Sequence, residues 1–308
     1  MRRNIYILFA LWIFYPLYWI GNAGQAFAQN DSVAKAVLLL QNQNMSADAR
    51  VKQALETIDR AITNSESTKN AYAWYVRGFV YKEWYKTFEP QNRKSKTRID
   101  AVTYLKKSLE LDTAKEYAAD IKRTLKYLGS TFYNDAGAVL DPSNYTIAIE
   151  DYEKFKECML LAEPNYNLKI REIEFKTVLA DVYAKIFRND VKNNLESFTK
   201  AEQTYKLVNV LDTNNWAGNY NLAMLYYNYG VDIINAMDVS SDIIVIENIQ
   251  DQSKELFKKA LPYALKAYSL NPKKREVLIA LQGIYFSLYE FDKSDEFKAK
   301  VEILDKEK

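Results

Sequence analysis

The chain has 308 residues, 42 basic against 40 acidic side chains for a formal charge of +2, 48% hydrophobic residues, one cysteine and no histidine. This is the composition of a folded protein and is too apolar for a disordered one. The missing histidines exclude imidazole general bases, Ser/His and Cys/His nucleophile systems and imidazole metal ligation, and a near-neutral mixed charge argues against a dominant nucleic-acid surface.

Residues 1–28 join a basic start at Arg2 and Arg3 to an apolar run from Ile5 to Ile20 and a small-residue ending at Ala26, Phe27 and Ala28. This is the three-part pattern of a secretory leader, with cleavage expected after Ala28. The length of the apolar run leaves an uncleaved membrane anchor as the other reading. No other stretch has the roughly 18 apolar residues needed to span a bilayer. Asp31 to Gln43 is expected to form a first helix, with Val33, Val37 and Leu40 on one face. A second follows from Ser46 to Thr63, where Ala54, Ile58 and Ala61 recur at 4-then-3 spacing. Small residues so placed let a neighbouring helix approach closely.

In AYAWYVRGFVYKEWY, Trp74, Gly78 and Tyr81 stand at i, i+4 and i+7, a large residue beside a gap. The partner helix, IDAVTYLKKSLELDT, carries Ala101, Leu105 and Ser108. The polar stretch 89–96 between them contains Pro90 and predicts a loop bearing a basic cluster at Arg93, Lys94, Lys96 and Arg98, either solvated or facing an acidic partner. The pattern returns with Leu128, Gly129 and Phe132, then Ala148, Tyr152 and Phe155, closing at Pro164. Cys158 lies in this helix as a buried small hydrophobe. It returns again with Leu179, Ala180 and Tyr183, then Ala201, Tyr205 and Val208. Leu222, Ala223 and Tyr226 pair with Ala260, Ala264 and Ala267 before Pro272. A last pair sets Leu281, Gln282 and Tyr285 against Ser294, Lys298 and Val301.

These positions resemble the tetratricopeptide repeat (TPR) family, whose unit of about 34 residues sets Trp, Leu-Gly and Tyr on one helix and Ala, an aromatic, Ala and Pro on the next. Trp74, Gly78, Tyr81, Leu128, Gly129, Ala260, Ala267 and Pro272 carry the match, and the chain is similar in style to secreted TPR proteins of Gram-negative envelopes. The resemblance implies an all-α fold: an α-solenoid of antiparallel helix pairs in a right-handed superhelix, with about four to six pairs over residues 29–308. The first-helix Tyr and second-helix Ala stand farther apart than the family unit sets them, as in Tyr81 to Ala101 and Tyr183 to Ala201, so helices or loops must be lengthened. The largest insertion, residues 230–259, ends near Pro262. A proline kinks a helix, so a bent helix standing out from the array is expected there.

The resemblance also implies a concave groove lined by the first helix of each pair. Its positions fall on Tyr72, Tyr75, Phe79 and Lys82, on Arg123, Lys126, Tyr133 and Asn134, on Glu174, Thr177, Asp181 and Lys185, and on Tyr220, Met224, Tyr227 and Asn228. Tyrosine offers large contact area for little lost side-chain entropy, and asparagine pairs with peptide backbone. The carboxylate clamp of some family members is not reproduced, because Tyr75 and Phe79 stand where it has polar residues, and Asn221 alone does not restore it. No phosphate-cradling glycines, nucleophile elbow or metal-ligand spacing occurs. The carboxylate pairs Glu150/Glu153 and Glu172/Glu174 are the catalytic device left to consider. The expectation is a non-enzymatic, exported scaffold binding a protein or peptide partner in the cell envelope, with no cofactor, metal or nucleic acid, and contact with a membrane only through an uncleaved leader. The alternative is a helical-repeat protein binding a small molecule or glycan beside the 230–259 insertion.

Overall fold

A computed structural model describes residues 31–63, 65–238, 240 and 242–306. The leader lies outside the described residues, as do Val239 and Ser241 of the insertion. Among the described residues the chain forms twelve α-helices and a short 3-10 turn, with no strand. None of these helices is long and apolar enough to cross a membrane. The chain divides into two compact units, one through Leu125 and one from Lys126.

The first unit holds α1 (Asp31–Gln41), α2 (Ala47–Ala61), the turn Ser67–Lys69, α3 (Ala71–Phe88), α4 (Lys96–Leu111) and the opening of α5 (Ala118–Ala138). Side-chain caps begin three of the helices: Ser46, Asn70 and Ser95 each accept a hydrogen bond from a free backbone N–H of the first turn. Val33 and Ala36 meet Ala54, Ile58 and Ala61, and these pack on Ala73, Val76 and Val80 in one core. Gly78 is the gap between α3 and α4: a Cβ there would stand 2.7 Å from Leu105 Cγ and 3.1 Å from the Leu105 backbone nitrogen. Ser108 Oγ donates to the Ala71 carbonyl at 2.7 Å and ties the end of α4 to the start of α3.

The basic cluster expected in the loop after α3 is corrected at Arg98. The loop is real, but Arg98 lies inside α4 with no exposure at all. Its Nη1 donates to the Tyr85 hydroxyl at 3.2 Å and its Nη2 to the Arg93 carbonyl at 2.9 Å, while the guanidinium lies 5.0 Å from the Tyr85 ring centre. The planar fork satisfies oxygen acceptors while its stem packs, which a lysine could not do here.

The second unit continues α5 and adds α6 (Tyr145–Ala162), α7 (Lys169–Asn189), α8 (Leu195–Leu211), α9 (Trp216–Asn235), α10 (Ile243–Leu270), α11 (Arg275–Ser287) and α12 (Phe291–Lys306). Neighbouring helices pack in sequence, in the solenoid-like manner expected. Gly129 lets α6 in close, with Cys158 Cβ 3.0 Å from where its own Cβ would be; Cys158 itself is fully buried. Tyr152 stacks on Phe175 with ring centres 4.1 Å apart and planes 3° from parallel, joining α6 to α7. Ala201, Ala223, Ala260, Ala264 and Ala267 are all fully buried.

The insertion is corrected in part. The first residues of α10, Ile243 and Ile244, are 64% exposed, as a projecting element requires. From Ser253 onward α10 instead lies along α9: Ser253, Leu256 and Phe257 are buried, and Phe257 covers Gly230 and Tyr227. Pro262 sits on the exposed side of an otherwise continuous helix. A proline ring directed to solvent meets no neighbouring helix, so the packed face is left to Ala260, Ala264 and Ala267.

Candidate binding cavity

Along α7, Asp181, Lys185 and Arg188 stand at i, i+4 and i+7 and therefore share one face; along α9, Asn221, Met224 and Asn228 do the same. These two faces border a cavity of about 540 Å³ within the second unit, closed below by Tyr205 of α8 and Leu225 of α9. The volume suits a short peptide or small ligand.

The floor is built around Asp181. The Tyr205 hydroxyl donates to Asp181 Oδ1, and the Asn221 amide donates to the same oxygen at 2.9 Å. Part of Asp181 faces solvent, yet its carboxyl is crowded by these neighbours. Burial raises its pKa above the usual range, while the two hydrogen bonds pull in the other direction. Burial, and then the Asp181 charge, push the Tyr205 hydroxyl up as well, so it stays a proton donor. At the other end Lys185, Arg188 and Asn189 approach the rim beside Asn228.

The remaining groove positions fall into separate surroundings. In the first unit Tyr72, Tyr75 and Tyr117 form an aromatic cluster, with Tyr72 and Tyr117 rings 5.0 Å apart and Tyr75 stacked on Tyr117 at 6.1 Å. Phe79 continues this cluster from Tyr75 at 6.2 Å. Burial, then the Asp120 and Tyr72 charges, raise the Tyr75 pKa. Lys82 is only 9% exposed, pairs with Glu83 and lies 3.8 Å from the Phe79 ring centre. It belongs to the packing and is corrected as an open groove contact; its four-carbon stem is what fits among aromatics. Arg123 is exposed and pairs with Asp120 at 3.1 Å.

In the second unit Lys126 pairs with Glu163 at 2.5 Å, and Asn134 is exposed. The Tyr133 hydroxyl donates to Glu174 at 2.8 Å, Arg171 lies over the Tyr133 ring at 5.0 Å, and burial followed by that hydrogen bond takes the Tyr133 pKa up to about 12. Thr177 spends its hydroxyl on the Ile173 carbonyl of its own helix. Tyr220 sits beside Trp216 with ring centres 6.2 Å apart. Tyr227 is half-buried and packs as well: its ring meets Phe257 and its hydroxyl fills the gap left by Gly283. Asp181, Lys185, Met224 and Asn228 are thus the groove positions that the fold gathers into one cavity. Tyr205, Arg188 and Asn189 complete it without having been singled out as groove residues; for Arg188 the signal was its i+7 spacing from Asp181.

Three of the four carboxylates considered for catalysis are engaged along their own helices. Glu153 pairs with Lys156, Glu172 with Lys176 and Glu174 with Arg171. A second cavity of about 300 Å³, between α6, α7 and α8, is walled by Tyr152, Phe175 and Leu179 and edged by Lys176 and Lys200.

No protein-family model and no curated protein matches the chain. Among solved structures it is similar to the Schizosaccharomyces pombe nuclear import adaptor Nro1, at 12% identity and a TM-score of 0.34, over 90% of this chain and 93% of that one. A second structure, described as that of the hypoxic regulator of sterol synthesis Nro1, a nuclear import adaptor, gives the same identity and TM-score over 90% of this chain and 88% of that one.

Proposed function

We propose that the chain is a non-enzymatic TPR-like scaffold that is exported to the cell envelope and binds a partner protein through a peptide segment seated in the α7–α9 cavity. The observation carrying this reading is the cavity itself. Two helix faces in register supply amide groups at Asn221 and Asn228, an apolar contact at Met224 and charges at Asp181, Lys185 and Arg188 around about 540 Å³. Amides that can donate and accept suit a peptide backbone, and a thioether adapts to varied side chains. Asp181, the acidic side chain lining this cavity, is held by hydrogen bonds from Tyr205 and Asn221, which favours recognition over proton transfer.

The test is recovery of envelope proteins on the immobilised chain, compared with a Met224→Arg, Asn228→Asp double variant whose helical circular dichroism is unchanged. Loss of specific proteins with the variant supports the reading. Identical recovery removes the cavity from it.

A second reading, glycan binding, is favoured by one feature away from this cavity. Phe286, Tyr289 and Phe291 are 62%, 67% and 51% exposed around the turn from α11 to α12, with the Phe291 ring within 6.2 Å of both others. Tyr289 has φ of 62°, a region that disfavours bulky side chains. Exposed rings of this kind suit stacking on a sugar face. A thermal-shift screen with oligosaccharides tests it, since a ligand bound to the folded state alone raises the midpoint.

A further inference from the structure

The cavity between α7 and α9 has a direction in its charge. Asp181 Oδ1 takes both hydrogen bonds, from Tyr205 and Asn221, and Oδ2 takes none among the described residues. Lys185 and Arg188 form no ion pair among the described residues. Four other cations on α7 and α8 are held by a carboxylate about one turn away on their own helix: Arg171 by Glu174, Lys176 by Glu172, Lys200 by Glu196 and Lys206 by Glu202; Lys169 at the start of α7 is not. An acceptor therefore waits at one end of the cavity, and toward the other stand two cations outside any close ion pair, Lys185 within electrostatic reach of Asp141 and Arg188. From position 181 to position 188 a helix rises about 10 Å, a length an extended peptide covers in about three residues.

On the footing that this cavity takes a peptide segment, we propose that the segment is dipolar: it sets a lysine or arginine against Asp181 Oδ2 and, three residues along, an aspartate or glutamate against Lys185 and Arg188. Charges of opposite sign at matched spacing steer a partner and fix its register more than they add affinity. An acidic polysaccharide fits less well, because it brings anions to both ends and is repelled by Asp181. A neutral sugar brings no counter-charge to either cation.

The full chain, presented to an immobilised positional-scanning library of acetylated and amidated octapeptides, tests this. The expected result is enrichment of opposite charges three residues apart. The Lys185→Glu, Arg188→Glu double variant changes only exposed side chains, so its fold is retained, which circular dichroism checks. It should bind the best wild-type peptides roughly tenfold more weakly, the loss of one charge-assisted contact, and should select a second basic residue in place of the acidic one. Identical charge preferences in the two proteins overturn the proposal. Enrichment of peptides without regard to charge also overturns it, while leaving peptide binding standing. Retention of no peptide, whatever a parallel oligosaccharide array shows, overturns both.

Discussion

Gly78 and Gly137 separate two reasons for a glycine in a helix. At Gly78 an added methyl would meet Leu105 at 2.7 Å and the α4 backbone at 3.1 Å, so α4 must move. Gly78→Ala is expected to lower stability by about 1–3 kcal/mol despite alanine's better helix propensity. At Gly137 nothing lies within 4 Å, and Gly137→Ala should raise stability by about 0.5 kcal/mol. Guanidinium denaturation of the two variants checks the opposite signs. Gly78 was legible as a gap beside Trp74 and Tyr81 because the i, i+4, i+7 spacing alone places it on the packed face. Arg98 was not legible, since its burial depends on Tyr85 and Arg93 reaching it across a loop. The tyrosines carry a further consequence. Burial raises the pKa of Tyr75, Tyr117, Tyr205 and Tyr226, and brings Tyr133 to about 12. Unfolded phenols ionise near pH 10. The stability these groups contribute is whole below that pH and falls as pH climbs toward the folded values. Denaturation midpoints at pH 9 and pH 11, read beside tyrosinate absorbance, should show a clear drop at the higher pH; equal midpoints contradict it.

Among the helices, α10 is where sequence and structure differ most. Its alanines at 260, 264 and 267 announced a packed face, and all three are fully buried. Its upstream half was expected to stand out from the array, because the apolar run at 243–246 and the charged stretch after it do not say which neighbour is present. Gly230 settles the matter locally: with no Cβ, α9 admits the Phe257 ring, whose Cε1 would otherwise stand 2.6 Å from a side-chain carbon. Pro262 removes a backbone donor from the middle of this helix and its ring faces solvent. Pro262→Ala restores a bond to the Lys258 carbonyl and should raise stability by about 1–3 kcal/mol. A lower thermal midpoint would mean that the proline sets the line α10 takes along α9.

The molecule as a whole consists of two compact units, and the candidate cavity belongs to the second. The all-α, pairwise order of helices was legible because small and large residues recur at helical spacing through most of the chain. The cavity was legible only by halves. Asp181, Lys185, Met224 and Asn228 follow from the register of α7 and α9. Tyr205 does not, because its place as a second-helix aromatic predicts packing, and its hydroxyl reaches Asp181 across 24 positions of sequence. The central claim is that a partner segment lies against this cavity. A photo-reactive benzoylphenylalanine placed at Met224, with Val210 on α8 as a control at 75% exposure, tests it in envelope extract. The account predicts peptide adducts mapped by mass spectrometry at position 224 and none at 210; equal labelling at both positions, or none at 224, contradicts it.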